Sequence, residues 1–139
     1  MKITVSTTIS SDVSTVWKNW NRPADIKKWN TASEDWHTTE CTVDFQVGGK
    51  FNARMEAKDG SVGFNLIGQY VHIDHQKLIK YVLEDGRRVT VEFKNLGELT
   101  QVNQTFIPDE EHSKEDQRDG WQNILNNFTK HVESKSFYR

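Results

Sequence analysis

The 139-residue chain is short of cysteine, of basic excess and of long apolar runs, and each shortage closes off a class of protein. Cys41 is the only cysteine, so no disulfide forms within the chain, and no CxxC or Cys/His spacing provides for zinc. The 18 Lys and Arg against 20 Asp and Glu leave a net charge of −2, so no basic field exists to hold nucleic acid or an anionic membrane. No stretch approaches the ~18 apolar residues of a membrane-spanning helix. Met1 to Thr7 lacks the apolar run of a signal peptide, and a cytoplasmic location is expected. No GxSxG nucleophile motif appears. Gly48-Gly49 opens a strand rather than a helix, so a phosphate loop would lack its helix dipole. Internal repeats, low-complexity tracts and linkers are absent too.

What is present is an aromatic supply rich for so polar a chain: 11% aromatic, with five Trp. That points to a core or pocket built from rings. Hydrophobic periodicity places the elements. Lys2 to Ile9 alternates as a half-buried strand. Ser10 or Ser11 is expected to cap a helix whose apolar face is Val13, Val16, Trp17 and Trp20. Pro23 opens a short second helix with Ile26 and Trp29 on one side. Strands are expected at Trp36–Val47, Lys50–Lys58, Val62–Ile73, Leu78–Leu83, Arg88–Lys94 and Leu99–Ile107, with a hairpin turn at Glu84-Asp85-Gly86-Arg87.

Ser113 then caps a last helix, whose stripe is Trp121, Ile124, Leu125, Phe128 and Val132. Gly120 inside that helix costs about 1 kcal/mol relative to Ala, and a close approach of the helix backbone to its neighbour is the expected reason. The order β-α-α-β6-α predicts one α+β domain over residues 1–134, with 135–139 as a flexible tail.

Several short segments carry a resemblance. They are Val16-Trp17, the run Phe45-Gln46-Val47-Gly48-Gly49-Lys50-Phe51 with Met55 beyond it, and Asp59-Gly60. Gly68-Gln69-Tyr70-Val71, Thr100 with Val102, and Gly120-Trp121 with Leu125 complete the series. In this order the chain resembles the helix-grip (START-like, SRPBCC) superfamily of START-domain proteins, birch-pollen-allergen-like proteins and polyketide cyclases. Within it, the chain is most similar to bacterial homologues of the C-terminal domain of the activator of the heat-shock-protein-90 ATPase. Asp74-His75 stands where the family often has prolines, a departure that touches only the shape of that turn.

The resemblance implies a curved antiparallel sheet wrapped around the long C-terminal helix, with a cavity between them for a small apolar or amphipathic ligand. It implies two alternatives: a protein-binding co-chaperone module whose partner is a chaperone, and a polyketide cyclase-like enzyme. It carries over no catalytic residue, and no cofactor or metal is expected.

Alternation sorts the inward face. Phe51, Ala53 and Met55 share one side of their strand, as do Phe64, Leu66, Gly68 and Tyr70 on the next. Ile79, Tyr81 and Leu83 follow, then Val89, Val91 and Phe93, then Val102, Gln104 and Phe106. Trp121, Leu125 and Phe128 face them from the helix. Trp29 and Trp36 flank the loop at the expected cavity mouth, as a clamp on a ligand or as a staple holding the short helix down. The pocket candidates are therefore Trp29, Trp36, Phe51, Met55, Phe64, Leu66, Tyr70, Tyr81, Val91, Phe93, Gln104, Phe106, Trp121, Leu125 and Phe128. For the aliphatic members core packing is the simpler role. Tyr70, Tyr81 and Gln104 differ, because each puts a polar tip on an apolar face, where it needs a partner. Arg54, Glu56 and Glu92 fall outward, as cross-strand surface pairs. His72 and His75 take opposite faces, and His37, His112 and His131 are expected in solvent.

Overall fold

In the computed structural model, which describes residues 1–135, the alternating segments form a seven-stranded antiparallel sheet. The strands are β1 (Ile3–Ile9), β2 (Trp36–Val43), β3 (Lys50–Ala57), β4 (Gly63–Asp74), β5 (Leu78–Leu83), β6 (Arg88–Asn95) and β7 (Thr100–Phe106). Their order across the sheet is β1-β7-β6-β5-β4-β3-β2. Helices α1 (Val13–Asn21) and α2 (Pro23–Trp29) connect β1 to β2, and α3 (Lys114–Lys135) follows β7. The curved sheet grips α3, which is the expected helix-grip α+β architecture. Lys135, expected in the tail, is still helical, and residues 136–139 lie outside the described residues.

The strands form where side chains alternate. In β7, Thr100, Val102, Gln104 and Phe106 are buried while their neighbours reach solvent. In β6, Val89, Val91 and Phe93 are buried between exposed Arg88, Glu92 and Lys94. Along α3 the spacing of three and four brings Leu125, Phe128 and Val132 to one buried stripe. Ser113 caps this helix, its hydroxyl accepting the Asp116 amide at 2.9 Å.

Local chemistry moves some boundaries. The cap of α1 is Asp12, not Ser10 or Ser11: its carboxylate accepts the Thr15 amide at 3.3 Å and the Thr15 hydroxyl at 2.6 Å. A charged acceptor is favoured there by the positive end of the helix dipole. The second strand ends at Val43 rather than Val47, and the chain then turns toward Gly49. That turn is tied to β4, because the Gly48 amide donates to the Tyr70 carbonyl (2.8 Å) and the Tyr70 amide to the Gly49 carbonyl (2.9 Å). A Cβ on Gly49 would fall 2.1 Å from the Asp44 carbonyl oxygen, so the position requires glycine.

Gly120 does not behave as expected. The nearest atom to a Cβ built there is the Ala32 Cβ at 4.0 Å, so no close approach explains this glycine. The tight position is Gly68 on β4, where a Cβ would come within 2.4 Å of the Phe51 ring. Phe51 lies across β4 because nothing stands there.

Rings hold the core together in a continuous relay. Phe128 of α3 meets Trp20 (4.9 Å between centroids) and Trp29 (4.9 Å), and Trp20 meets Phe93 (5.9 Å). Phe93 touches Trp17 (5.0 Å), Trp17 touches Phe45 (5.7 Å), and Phe45 touches Tyr70 (5.1 Å). Phe51 closes the relay between Tyr70 (5.6 Å) and Tyr81 (5.0 Å). Most of these contacts are edge-on, the arrangement that ring quadrupoles favour.

Candidate functional site

The relay surrounds a cavity of about 110 Å³ under the two short helices. Trp20 and Asn21 of α1, Ile26 and Trp29 of α2, and Asn30 form its cover, while Trp121 and Ile124 of α3 close one side. Cys41, Phe51, Ala53, Leu66, Tyr70, Ile79, Tyr81, Leu83 and Gln104 form the floor. Of the residues expected from the sequence, the structure therefore brings Trp29, Phe51, Leu66, Tyr70, Tyr81, Gln104 and Trp121 together around one space.

The other candidates lie elsewhere. Val91, Phe93, Phe106, Leu125 and Phe128 are buried in the core without lining the cavity, and Trp121 stacks flat on Phe106 at 4.1 Å. Met55 is buried beside the cavity cover, its sulfur accepting from the Thr38 hydroxyl (3.1 Å) and the Asn30 amide (3.5 Å). Phe64 is 50% exposed. It pairs across the ladder with buried Met55, so its parity is right, but neither α2 nor α3 reaches far enough to cover it. Trp36 leans on Phe64 (5.8 Å between centroids) outside the cavity, and so does not guard its mouth.

Cys41 was not among the expected residues, and a bulge explains why. Thr38 pairs with Met55 and Glu40 with Arg54, leaving Thr39 as the extra residue. One inserted residue reverses the side-chain parity downstream, so Cys41 turns to the same face as Thr38. A second bulge at Val71, between the Tyr70 and His72 pairings, shifts the inward set of β4 from Tyr70 to Ile73, which pairs with buried Ile79. Trp20 and Ile26 had been placed on apolar helix faces, but periodicity does not say which strand a face will cover.

The polar groups of the cavity are neutral donors. Burial pushes the Tyr70 phenol well above its ordinary range, and neighbouring Tyr81 and Cys41 add to the shift. Tyr81 is raised by burial as well, with the Gln104 side chain acting the other way. Burial also raises the Cys41 thiol, against the pull of Lys27. Near neutral pH the cavity thus offers two phenols, a thiol and the amides of Asn21, Asn30 and Gln104, and no carboxylate among its lining residues.

The cover is fastened to α3. Buried Asp25 of α2 accepts from His131 Nε2 at 2.9 Å and from Lys135 Nζ. Desolvation raises the Asp25 pKa, but the bonds from Lys135 and His131 outweigh it and hold the carboxyl below its ordinary value. His131, expected in solvent, is thus a structural tie. Within the cover, the Trp29 indole N–H ties α2 to α1 by donating to the Asn19 carbonyl at 3.0 Å. On the outer face, Arg54 pairs with Glu56 along its own strand (3.3 Å) rather than across the sheet. Among the described residues, no group of three His, Cys, Asp or Glu is placed to hold a metal, and no helix is long and apolar enough to cross a membrane.

A sheet curled around one long helix, with a cavity beneath two short ones, defines a START-like protein of the helix-grip type. More narrowly, the chain belongs to the family of Activator of Hsp90 ATPase homolog 1-like proteins, whose model matches residues 10–133. It is similar to an AHSA1-like protein from Aeromonas hydrophila, at 41% identity and a TM-score of 0.91 over 98% of this chain and 94% of that one. A protein from Cytophaga hutchinsonii is similar at 40% identity and a TM-score of 0.84, over 99% and 96%. The Aha1 dimer from Colwellia psychrerythraea shares the fold at 13% identity and a TM-score of 0.75, over 96% of each chain. No curated protein matches.

Proposed function

We propose that the chain binds a single-ring, mostly apolar molecule carrying one or two polar atoms, held in the cavity beneath α2 in a cytoplasmic setting. The observation that carries this reading is Tyr70. The residue is 5% exposed, it lines the cavity, and its hydroxyl makes no hydrogen bond among the described residues. A ligand oxygen or nitrogen bonded to this hydroxyl would contribute about 0.5–1.5 kcal/mol. Gln104, also 5% exposed, offers both a donor and an acceptor from the same floor. Size selects the class: an engineered apolar cavity of about 150 Å³ takes benzene. A space of about 110 Å³ is smaller still, so it admits at most a single ring and excludes a long lipid unless α2 moves.

An enzyme of the cyclase type finds less support, because burial keeps Tyr70, Tyr81 and Cys41 protonated and leaves no base beside them. A protein-binding module, by contrast, is supported by family membership.

Thermal melting with phenol, benzyl alcohol and indole tests the cavity reading. Saturation at about 100 times the dissociation constant adds about 2.7 kcal/mol of stability. Tyr70→Phe should leave the unliganded melting temperature unchanged and weaken a hydroxylated ring by about tenfold. A panel of such rings that leaves the melting temperature untouched would sink the proposal.

A further inference from the structure

A second concavity opens on the other side of α3. This groove of about 620 Å³ lies between that helix and the loop from α2 to β2. Its floor is the polar stripe of α3, where Asn123, Asn126, Asn127 and Lys130 recur at helical spacing. Asn127 fixes the wall, donating to the Thr31 carbonyl at 2.7 Å. Asparagine ranks low as a helix former, so three of them on one face weaken the helix they sit in.

Charge in the groove runs against the rest of the molecule. Lys28, Lys58 and Lys130 line it with Glu34 as the one acidic lining residue, whereas the whole chain carries a net charge of −2. His131 also borders it, but its ring is engaged by Asp25. At one end lies an apolar step: Trp36 lines the groove and leans on half-exposed Phe64, with exposed Val62 two residues before it in sequence.

We infer that this groove binds an acidic peptide segment of a partner protein, seated along α3 with one apolar side chain on Trp36 and Phe64. The length fits. The stretch of α3 from Asn123 to Ser134 spans about 16 Å at 1.5 Å per residue. An extended peptide covers that distance in about five residues. Lysines would meet its carboxylates, and the asparagine amides, each with a donor and an acceptor, suit its backbone. An aromatic anchor beside charged contacts is the usual anatomy of a small protein interface. This rests on the protein-binding alternative and not on the cavity, so the two fail separately.

The probe is fluorescein-labelled Asp-Glu-Phe-Asp-Glu, titrated with the full chain and followed by anisotropy. A neutral Asn-Gln-Phe-Asn-Gln peptide is the control. Expected are saturable binding at least about tenfold tighter for the acidic peptide, and a several-fold loss between 50 and 300 mM salt, since exposed charges are screened. The triple variant Lys28→Glu, Lys58→Glu, Lys130→Glu should abolish binding while keeping its melting temperature and its response to phenol. Lys→Gln at the same three positions is the substitute if the reversed chain does not fold. Trp36→Ala should weaken binding about fivefold or more, as loss of an aromatic anchor does. Equal affinity for the two peptides overturns the inference, as does binding that survives the triple change. Inorganic phosphate competing as well as the peptide would assign the groove to a small anion. A dimer that dissolves on charge reversal would assign it to a second copy of the chain. Either result also overturns it.

Discussion

Toward the sheet, α3 presents Trp121, Leu125, Phe128 and Val132; toward the loop after α2 it presents Asn123, Asn126, Lys130 and Ser134. The first set is packed in the core, Trp121 on Phe106 of β7 and Phe128 on Trp20 and Trp29 of the short helices, and the second is held by a few hydrogen bonds. The difference separates what keeps the fold from what is free to serve binding. Stability should be concentrated on the sheet side, with the groove side contributing mainly through Asp25 and the bond from Asn127 to the Thr31 carbonyl.

Phe128→Ala breaks the comparison hardest. The ring is fully buried and edges onto both Trp20 and Trp29, so its removal opens a cavity at the hub of the relay. A loss of about 3–5 kcal/mol is expected in urea unfolding. A loss below 1 kcal/mol would mean that the relay is not the core.

Asp25→Asn tests the one strong tie on the groove side. With a lowered pKa, the Asp25 carboxylate stabilises the fold above its unfolded value of 3.8, and that contribution is lost as the pH falls through the folded value. Asp25→Asn should therefore cost about 1–3 kcal/mol at pH 7, and the gap from the parent should close in acid. A gap that stays constant from pH 7 to pH 3 would remove Asp25 from the account of acid sensitivity.

Gly120→Ala sharpens the comparison with the smallest effect, and in the opposite direction. With 4.0 Å to the nearest atom, a methyl group fits, and the helix should gain about 1 kcal/mol. Destabilisation would restore the close approach that the geometry denies.

Legibility of the sequence followed the same divide between parity and cover. Where strands run without interruption, as in β6 and β7, alternation alone placed Val91, Gln104 and Phe106 on the concave face. Where a bulge intervenes, parity reverses: Thr39 turned Cys41 inward, and no turn residue or glycine announced it. Parity also says nothing about what lies above a face. Phe64 shares Met55's side of the sheet and still stands in solvent, because cover depends on where α2 ends. Gly120 misled for a related reason. A helical glycine signals a possible close contact, but whether a neighbour arrives is decided by tertiary packing.

The pairing of β1 with β7 has a consequence in time. Ile3 lies opposite Phe106, so among the described residues β1 finds its one sheet neighbour about 100 residues downstream. The hairpins from β2 to β7 close over short loops and can assemble first, whereas joining β1 waits on a long loop whose closure entropy must be met early. During synthesis, β1 emerges well before β7 and has no partner in the sheet until β7 appears. Folding should then be limited by that pairing, and substitutions at Ile3 or Val5 should slow folding more than they speed unfolding.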